Sequence, residues 1–291
     1  MKGFEGEAPF PEYSRVLDEI AQTGYAGTEL GDWGFMPTDP DLLIAELEGR
    51  GLGMAGALVP LALADRANHE SGLVIALRTA RLLAAYAEAL GEDGSFIILA
   101  DDNGANDVRT QCAGRIAGHH GMSGQQWRTF TDGANRIARV VLEETGLRSV
   151  FHHHCAGFVE TPEETERLLD ATEPAILGLC FDTGHWAYAG GDPLEAVKRY
   201  GERIWHVHFK DCHAEIAERA RAEEWDYFQA VRRGVFYGLG RGDVDFPSIL
   251  AELRRQAYSG WIVVEDELPP GMGEPFESAQ RDRAYLRNLG I

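Results

Sequence analysis

The sequence has no long apolar run, few basic residues and no closely paired cysteines, and each absence excludes a class of protein. No stretch approaches the roughly 18–20 consecutive apolar residues of a membrane-spanning helix. The opening residues lack a basic segment followed by an apolar one, so we expect a cytoplasmic protein with no membrane partner. The four cysteines show no CxxC spacing, which argues against a zinc knuckle and a secreted disulfide scaffold.

Acidic residues outnumber basic residues in this chain. Lys and Arg total 27 against 47 Asp and Glu, which gives a formal net charge of −20 over 291 residues. A phosphate backbone would be repelled by this charge, so we expect no nucleic-acid partner. Hydrophobic residues nevertheless make up 44% of the chain, enough for a large buried core.

Short apolar runs alternate with longer amphipathic ones along the whole chain. The runs predict strands at 27–30, 54–60, 96–100, 149–154, 177–182, 204–211 and 261–267. The amphipathic patterns predict helices at 13–23, 41–51, 73–90, 125–146, 162–171, 193–200 and 247–257. The strings Thr-Pro-Glu-Glu from residue 161 and Asp-Pro-Leu-Glu from residue 192 each combine a capping side chain, an N1 proline and a glutamate at N3.

This alternation predicts a parallel sheet with helical crossovers. No GxGxxG follows the first strand, no Pro/Gly/Ser-rich linker divides the chain, and polar residues end several strands, so we favour a (β/α)8 TIM-type barrel over an open sheet. We expect one domain over 1–291 whose first strand is short or missing, because residues 1–10 are polar and glycine-rich. Segments 101–124 and 211–244 are long for loops and are expected to form lid structure.

Histidines cluster at the ends of three successive predicted strands. Six of the ten occur there, at 152–154, 185, 206 and 208. Residues two apart in a strand share a face, so His152 and His154 should point one way, as should His206 and His208. Asp182 and Glu265 come at the ends of two of the predicted strands and supply oxygen ligands. Such a mixed nitrogen and oxygen set suits a divalent metal such as Mn, Co, Fe, Ni or Zn.

Six strings along the chain resemble a known family. They are GYAGTELGDWGF, FHHHCAGFVETPEE, CFDTGHWAYAGGDP, HVHFKD, GVFYGLGRGDVDF and GWIVVEDE, in order from about Glu12 to the C-terminus. They resemble the xylose isomerase-like TIM barrels of the sugar phosphate isomerase/epimerase superfamily. Within it the chain is most similar to the inosose (2-keto-myo-inositol) dehydratases, and FHHHCAGFVET is the string that points to that branch.

The resemblance implies a set of metal ligands. In the superfamily a glutamate, an aspartate, a histidine and a second glutamate hold a divalent cation, and the last three match Asp182, His208 and Glu265. The first glutamate has no counterpart, so we place His152 in its position, with His154 as the alternative. Manganese or cobalt is the preferred metal, with zinc, iron, nickel or magnesium as alternatives.

The resemblance also implies a polyhydroxy ketone as the small-molecule substrate. A metal would polarise its carbonyl, a base would remove the neighbouring proton, and the β-hydroxyl would leave from a metal-stabilised enediolate. His154, His185 and Glu265 are the candidate base and acid. Lys210 is the fourth catalytic candidate and is better suited to fixing a substrate oxygen.

Other residues are candidates for substrate contacts. Glu29 could bind a substrate hydroxyl or a histidine behind the ligands, and His185 and Lys210 could also contact the substrate. Trp186 could form an apolar wall with Trp33 and Phe35, although such aromatics are as often core residues.

Four functions stay open on the sequence alone. The first is a metal-dependent dehydratase, a carbon–oxygen lyase acting on a keto-cyclitol or keto-sugar such as 2-keto-myo-inositol. The second is a ketose epimerase or aldose/ketose isomerase, although epimerases of this fold use paired glutamates and this chain keeps only one. The third is an inactive sugar-binding protein. The fourth, an abasic-site endonuclease, is disfavoured by the negative charge. An exposed barrel seam would favour a homo-oligomer.

Overall fold

Strands and helices alternate along the chain as predicted. The computed structural model of the protein describes residues 11–91, 95–268 and 271–291. The strands are β1 (Gly27–Glu29), β2 (Gly53–Leu61), β3 (Phe96–Asp101), β4 (Ser149–His152), β5 (Leu177–Asp182), β6 (Ile204–Phe209) and β7 (Ile262–Val264). The helices are α1 (Tyr13–Thr23), α2 (Pro40–Glu48), α3 (His69–Leu90), α4 (Asp107–Gln111), α5 (Gly124–Thr145), α6 (Pro162–Ala171), α7 (Thr183–Tyr188), α8 (Pro193–Tyr200), α9 (Ala214–Ala222), α10 (Tyr227–Arg232), α11 (Phe246–Arg255) and α12 (Pro275–Asn288).

The seven strands form one parallel sheet in the order β1 to β7, with each strand beside its sequence neighbour. The sheet curls into a near-closed barrel surrounded by helices, which confirms the predicted fold class. β1 has only three residues, so the first described strand is short. The amino-terminal segment that the sequence analysis considered as a further strand lies outside the described residues.

A groove of about 500 Å³ separates the two edge strands, β1 and β7. Its walls include Tyr25 and Ala26 on one side and Trp261 and Ile262 on the other. Within the described part of the chain, β1 pairs only with β2 and β7 only with β6. The barrel therefore has a seam at this point.

The predicted capping side chains are confirmed at both helix starts, but the glutamate reaches back to the cap only at α6, since Glu195 of α8 accepts from Lys198 instead. Thr161 accepts from the Glu164 amide, and the Glu164 side chain accepts from the Thr161 amide, forming the expected capping box. Asp192 accepts from the amides of Leu194 and Glu195 at the start of α8. These bonds satisfy backbone donors that a helix leaves unpaired, and so they define where each helix begins.

Five helices were not predicted from the sequence: α4, α7, α9, α10 and α12. α4, α9 and α10 lie in the segments expected to form lids. α12 is mostly polar and buries Ser278 and Asp282 besides Leu286, so it lacks a continuous apolar stripe. None of the helices in the described ranges is long and apolar enough to cross a bilayer.

Candidate functional site

The strand alternation decides which side chains enter the barrel. Phe151, Phe181 and Phe209, on β4, β5 and β6, point outward into the apolar clusters beneath the helices. Their neighbours His152, Asp182 and His208 therefore point inward, because successive side chains of a strand face opposite ways. These three are the last or nearly last residues of their strands, so they lie at the carboxyl end of the barrel, called the mouth below.

The sheet register places the inward residues side by side. Asp182 pairs with His208 across β5 and β6, and His152 pairs with Cys180 across β4 and β5. Below them, Phe96, Ile98, Val150 and Cys180 form a small apolar cluster inside the barrel. The polar residues thus lie above a packed apolar layer and face the mouth.

Four predicted ligands come together at the mouth. His152, Asp182, His208 and Glu265, called the mouth cluster, each offer a ligand atom within 4.8 Å of the others. His152 Nε2 lies 3.7 Å from both Asp182 Oδ2 and Glu265 Oε2. His208 Nδ1 lies 2.8 Å from Glu265 Oε2 and 3.9 Å from Asp182 Oδ2.

The mouth cluster leaves polar atoms without partners. Both ring nitrogens of His152 and Oδ2 of Asp182 are buried and make no hydrogen bond with any residue that the structure describes. Buried polar atoms of this kind ordinarily cost about 1–3 kcal/mol each unless something binds them. Two imidazoles and two carboxylates are a donor set that divalent transition metals accept, so the residues present fit a cation.

The charges around the mouth cluster also favour binding of a cation, because they decide which of its groups are ionised. Burial alone would raise the pKa of Glu265, but the Lys210 ammonium and the imidazoles of His152 and His208 hold it well below its usual range. The neighbouring Cys180 thiol faces the same two histidines, yet burial raises its pKa to about 12. The Glu265 carboxylate, and not the thiol, is therefore the group that is anionic and able to bind a cation.

A second group of side chains lies beside the mouth cluster. The rings of His154 and His185 are 3.8 Å apart between centroids, and ligand atoms of both lie within 4.8 Å of a Glu267 oxygen. Burial lowers the pKa of His154 to about 3 and that of His185 well below its usual value. Both imidazoles are neutral at pH 7, and neither ring nitrogen of His185 has a hydrogen-bond partner within the described ranges of the chain.

Lys210 connects the two groups. Its ammonium lies 3.1 Å from Glu265 Oε1 and 2.7 Å from Glu267 Oε1, and its side chain is fully buried. Burial alone would lower the pKa of Lys210, but the two carboxylates raise it, so the ammonium stays charged. The structure thus brings His154, His185, Lys210 and Glu265 together, as the sequence analysis expected.

Two residues of this site, Glu267 and Tyr227, were not predicted from the sequence. Glu267 follows Glu265 by two positions, so the same-face rule could have found it. Tyr227 lies on α10, inside the segment predicted as a lid, and its hydroxyl is 3.2 Å from Glu267 Oε1 and 3.4 Å from His154 Nε2. Nothing in the local sequence distinguishes this tyrosine, because only the packing of α10 brings it to the mouth.

Glu29 lies behind the mouth cluster. Its Oε1 is 2.7 Å from His206 Nε2 and 2.8 Å from His208 Nε2. Of the two roles expected for Glu29, the structure shows the contact with histidines.

The aromatic residues expected to form an apolar wall are dispersed. Trp186 is 3% exposed and packs against Phe181, Tyr200 and His153 in the core. The structure does not bring it to the mouth cluster, because α7 turns its indole toward the outer layer. Trp33 is 37% exposed, with the Arg78 guanidinium 4.5 Å from its ring centroid. Phe35 packs at the edge of the outer core.

A second buried polar cluster supports the loop after β4. Arg109, Glu160 and Glu164, called the bracket below, join α4 to that loop. Arg109 donates to both Glu164 oxygens at 2.8 and 2.7 Å and to the Gly157 carbonyl at 2.6 Å. Glu160 accepts from the amides of Gly114 and Ala156 at 2.7 and 2.8 Å. The bracket holds the loop that carries His153 and His154.

The molecule is therefore a parallel α/β barrel with a cation-ready cluster at the carboxyl ends of its strands, where barrel enzymes place their active sites. The model of the xylose isomerase-like TIM barrel family matches residues 17–289, and the chain belongs to that family. The resemblance of the six strings is thereby confirmed.

Curated relatives and solved structures agree with this assignment. The chain is 34% identical to an inosose dehydratase of Geobacillus kaustophilus over 94% of this chain and 86% of that protein. It is 31% identical to an inosose dehydratase of Clostridium beijerinckii over 94% and 89%. The 3-keto-D-glucoside 4-epimerase of E. coli superposes with a TM-score of 0.70 at 18% identity, covering 97% of both chains. At this level of identity, the similarity to the epimerase structure shows a shared fold only.

Proposed function

We propose that the protein is a cation-dependent dehydratase of a keto-cyclitol, a carbon–oxygen lyase. The observation that carries the proposal is the mouth cluster, with its unpartnered His152 and Asp182 atoms beside the Lys210 ammonium. The identity with two inosose dehydratases supports the substrate class, since those relatives match nearly the whole chain.

His152, Asp182, His208 and Glu265 would hold the divalent cation. When bound, such a cation supplies Lewis acidity toward a ketone oxygen. Four protein ligands would leave room on such a cation for a substrate oxygen, as catalytic metal sites require.

Proton transfer falls to His154 and His185. Both are neutral, so each can accept a proton at one nitrogen and donate one from the other. A pKa of about 3 makes His154 a weak base in these surroundings. The nearby Glu267 carboxylate would stabilise an imidazolium once the proton has arrived, as a carboxylate does behind a catalytic histidine.

Lys210 would bind the oxygen on which negative charge develops. Its ammonium is held by Glu265 and Glu267, so it is positioned before the substrate arrives. Fixed donors of this kind avoid reorganisation during the reaction. Water would leave from the carbon next to the one that loses its proton.

The residue at the end of β4, His152, favours elimination over epimerisation. An epimerase with paired acid and base carboxylates would need a second glutamate across from Glu265, and His152 stands there. Two neutral histidines and one lysine on one side of the site suit removal of a proton and departure of a hydroxyl.

The test is incubation of the manganese- or cobalt-loaded protein with 2-keto-myo-inositol in heavy water, followed by mass spectrometry. We expect a product that has lost one water. A product that has kept all its oxygen atoms and differs from the substrate only by the deuterium it has gained would instead identify an epimerase or isomerase. Absence of both turnover and bound cation would leave a sugar-binding protein and refute the dehydratase.

A further inference from the structure

Glu29 connects β1 to β6 across the inside of the barrel. A single carboxylate oxygen, Oε1, lies within hydrogen-bond distance of two imidazole nitrogens, Nε2 of His206 and Nε2 of His208. Both rings are buried, with 0% and 4% of the side chain exposed. This contact joins an edge strand at the seam to the strand that carries a mouth-cluster ligand.

The two nitrogens of His208 face different groups. Nδ1 points into the mouth cluster, 2.8 Å from Glu265 Oε2. Nε2 points the other way, 2.8 Å from Glu29 Oε1. A neutral imidazole carries one N–H and one lone pair, and only the lone pair can bind a cation. The function of His208 therefore depends on which nitrogen holds the hydrogen.

We propose that Glu29 is a positioning residue that keeps the hydrogen of His208 on Nε2 and thereby leaves Nδ1 bare toward the cation. An ionised carboxylate can only accept, so the contact with Glu29 needs an N–H at Nε2. The same contact fixes the rotation of the ring. At Nδ1 the cation would take the place of the proton that Glu265 Oε2 otherwise accepts. This inference rests on the cation site proposed above and extends it to a residue that does not touch the cation.

His206 completes the arrangement. Its Nε2 is the second donor to the same oxygen, and its ring lies 5.2 Å from that of His208 between centroids. Oε1 of Glu29 thus accepts from two imidazoles at once. Carboxylates behind metal-binding histidines commonly have this role.

The contacts also argue against direct substrate binding by Glu29. Its Oε1 is occupied by two buried imidazoles, and its side chain is 18% exposed. His206 pairs in the sheet with Cys180 and lies one layer below His208, which pairs with Asp182. Glu29 therefore contacts the side of His208 that faces the barrel interior, and Glu265 contacts the opposite side, which faces the mouth.

The test reads the tautomer of His208 directly. Protein with isotope-labelled histidine nitrogens is loaded with Zn²⁺, and long-range nitrogen–proton NMR correlations identify the protonated ring nitrogen. Signals are assigned with the help of His206→Gln. In the wild type we expect His208 to carry its hydrogen on Nε2 and to bind zinc through Nδ1. Zinc bound through Nε2 would refute the proposal without any Glu29 variant.

Zinc affinity provides the second readout, measured by competition with a chelator. Glu29→Ala removes the acceptor, and we expect binding to weaken by about 10–100-fold, with both tautomers of His208 present. Glu29→Gln keeps an acceptor oxygen and should retain most of the affinity. Asp282→Asn is the control, since Asp282 is a buried carboxyl on α12 outside the site.

Two negative results can be told apart. If the wild type binds no zinc, the cation site itself is wrong and this inference falls with it. If the wild type binds zinc and Glu29→Ala binds it equally with His208 unchanged, only the positioning role is refuted.

Discussion

The mouth cluster and the bracket are both buried and both charged, but their polar atoms are satisfied to different degrees. In the bracket, Arg109 and the carboxylates it supports have every side-chain nitrogen or oxygen bonded within the protein. In the mouth cluster, neither ring nitrogen of His152 nor Asp182 Oδ2 has a hydrogen-bond partner in the part of the chain that the structure describes.

This difference indicates what each cluster is for. A buried charge that is fully bonded stabilises a conformation, and removing one partner leaves the other uncompensated. A buried group without a partner costs stability and is retained where a ligand completes it. We therefore expect substitutions in the bracket to affect folding and substitutions in the mouth cluster to affect binding and turnover.

Asp182→Asn should give the largest effect on function with little effect on stability. Asp182 Oδ1 accepts from the His185 amide at the start of α7, and an asparagine oxygen can keep that cap. The substitution removes the anionic Oδ2 from the mouth cluster. We expect cation affinity to fall sharply and kcat/KM to fall by about 10³-fold or more, with the unfolding transition within about 1 kcal/mol of wild type.

Asp192→Asn is the matched control for this variant. Asp192 caps α8 in the same way but lies at the exposed outer surface. It should leave cation binding and turnover unchanged. A similar loss of activity in both variants would mean that the cap, and not the ligand oxygen, explains the result at Asp182.

Arg109→Met should give the largest effect on stability. The substitution leaves Glu164 in place, with 13% of its side chain exposed and its cationic partner gone. We expect the free energy of unfolding to fall by about 3–5 kcal/mol, measured by urea denaturation. Arg139→Met breaks the exposed pair with Glu173 and should cost at most about 1 kcal/mol. Equal losses in the two variants would refute the structural role of the bracket.

The sequence predicts the mouth cluster better than the bracket for a physical reason. His152, Asp182 and His208 come at the ends of apolar strands, and parallel strands bring such ends together wherever the helices lie. Arg109 meets Glu164 across 55 residues, through a short helix in a segment without strong periodicity. Tyr227 meets His154 across 73 residues in the same manner. Contacts between a short helix and a distant part of the chain depend on packing that no local pattern encodes.

Lys210→Met tests a residue that shares features of both clusters. Lys210 belongs to the site, as the mouth cluster does, but its charge is paired within the protein, as the charges of the bracket are. Its ammonium binds Glu265 and Glu267, and without it both carboxylates stay in the mouth. We expect kcat to fall by about 10²-fold, as after loss of one fixed donor, while cation affinity is kept or increases. Steady-state kinetics and manganese titration separate the two effects.

Lys198→Met is the control for that variant, since Lys198 makes an exposed pair with Glu195. Its kinetics should match wild type. If Lys210→Met loses cation binding as Asp182→Asn does, Lys210 supports the ligands and does not act on substrate.

The smallest expected effect is a pH dependence within the bracket. Burial raises the pKa of Glu160 to about 7, despite the two amides that bond its oxygens. The folded protein then holds a proton between about pH 4.5 and 7 that the unfolded chain releases, so the stability contributed by Glu160 falls as pH rises through this window. Glu160→Gln cannot titrate. The free energy of unfolding of the wild type relative to Glu160→Gln should therefore decrease by about 1–3 kcal/mol from pH 5 to pH 8 in urea denaturation. A constant difference across that range would mean that the amides keep Glu160 ionised, and that the bracket carries its full negative charge at every pH at which the protein is folded.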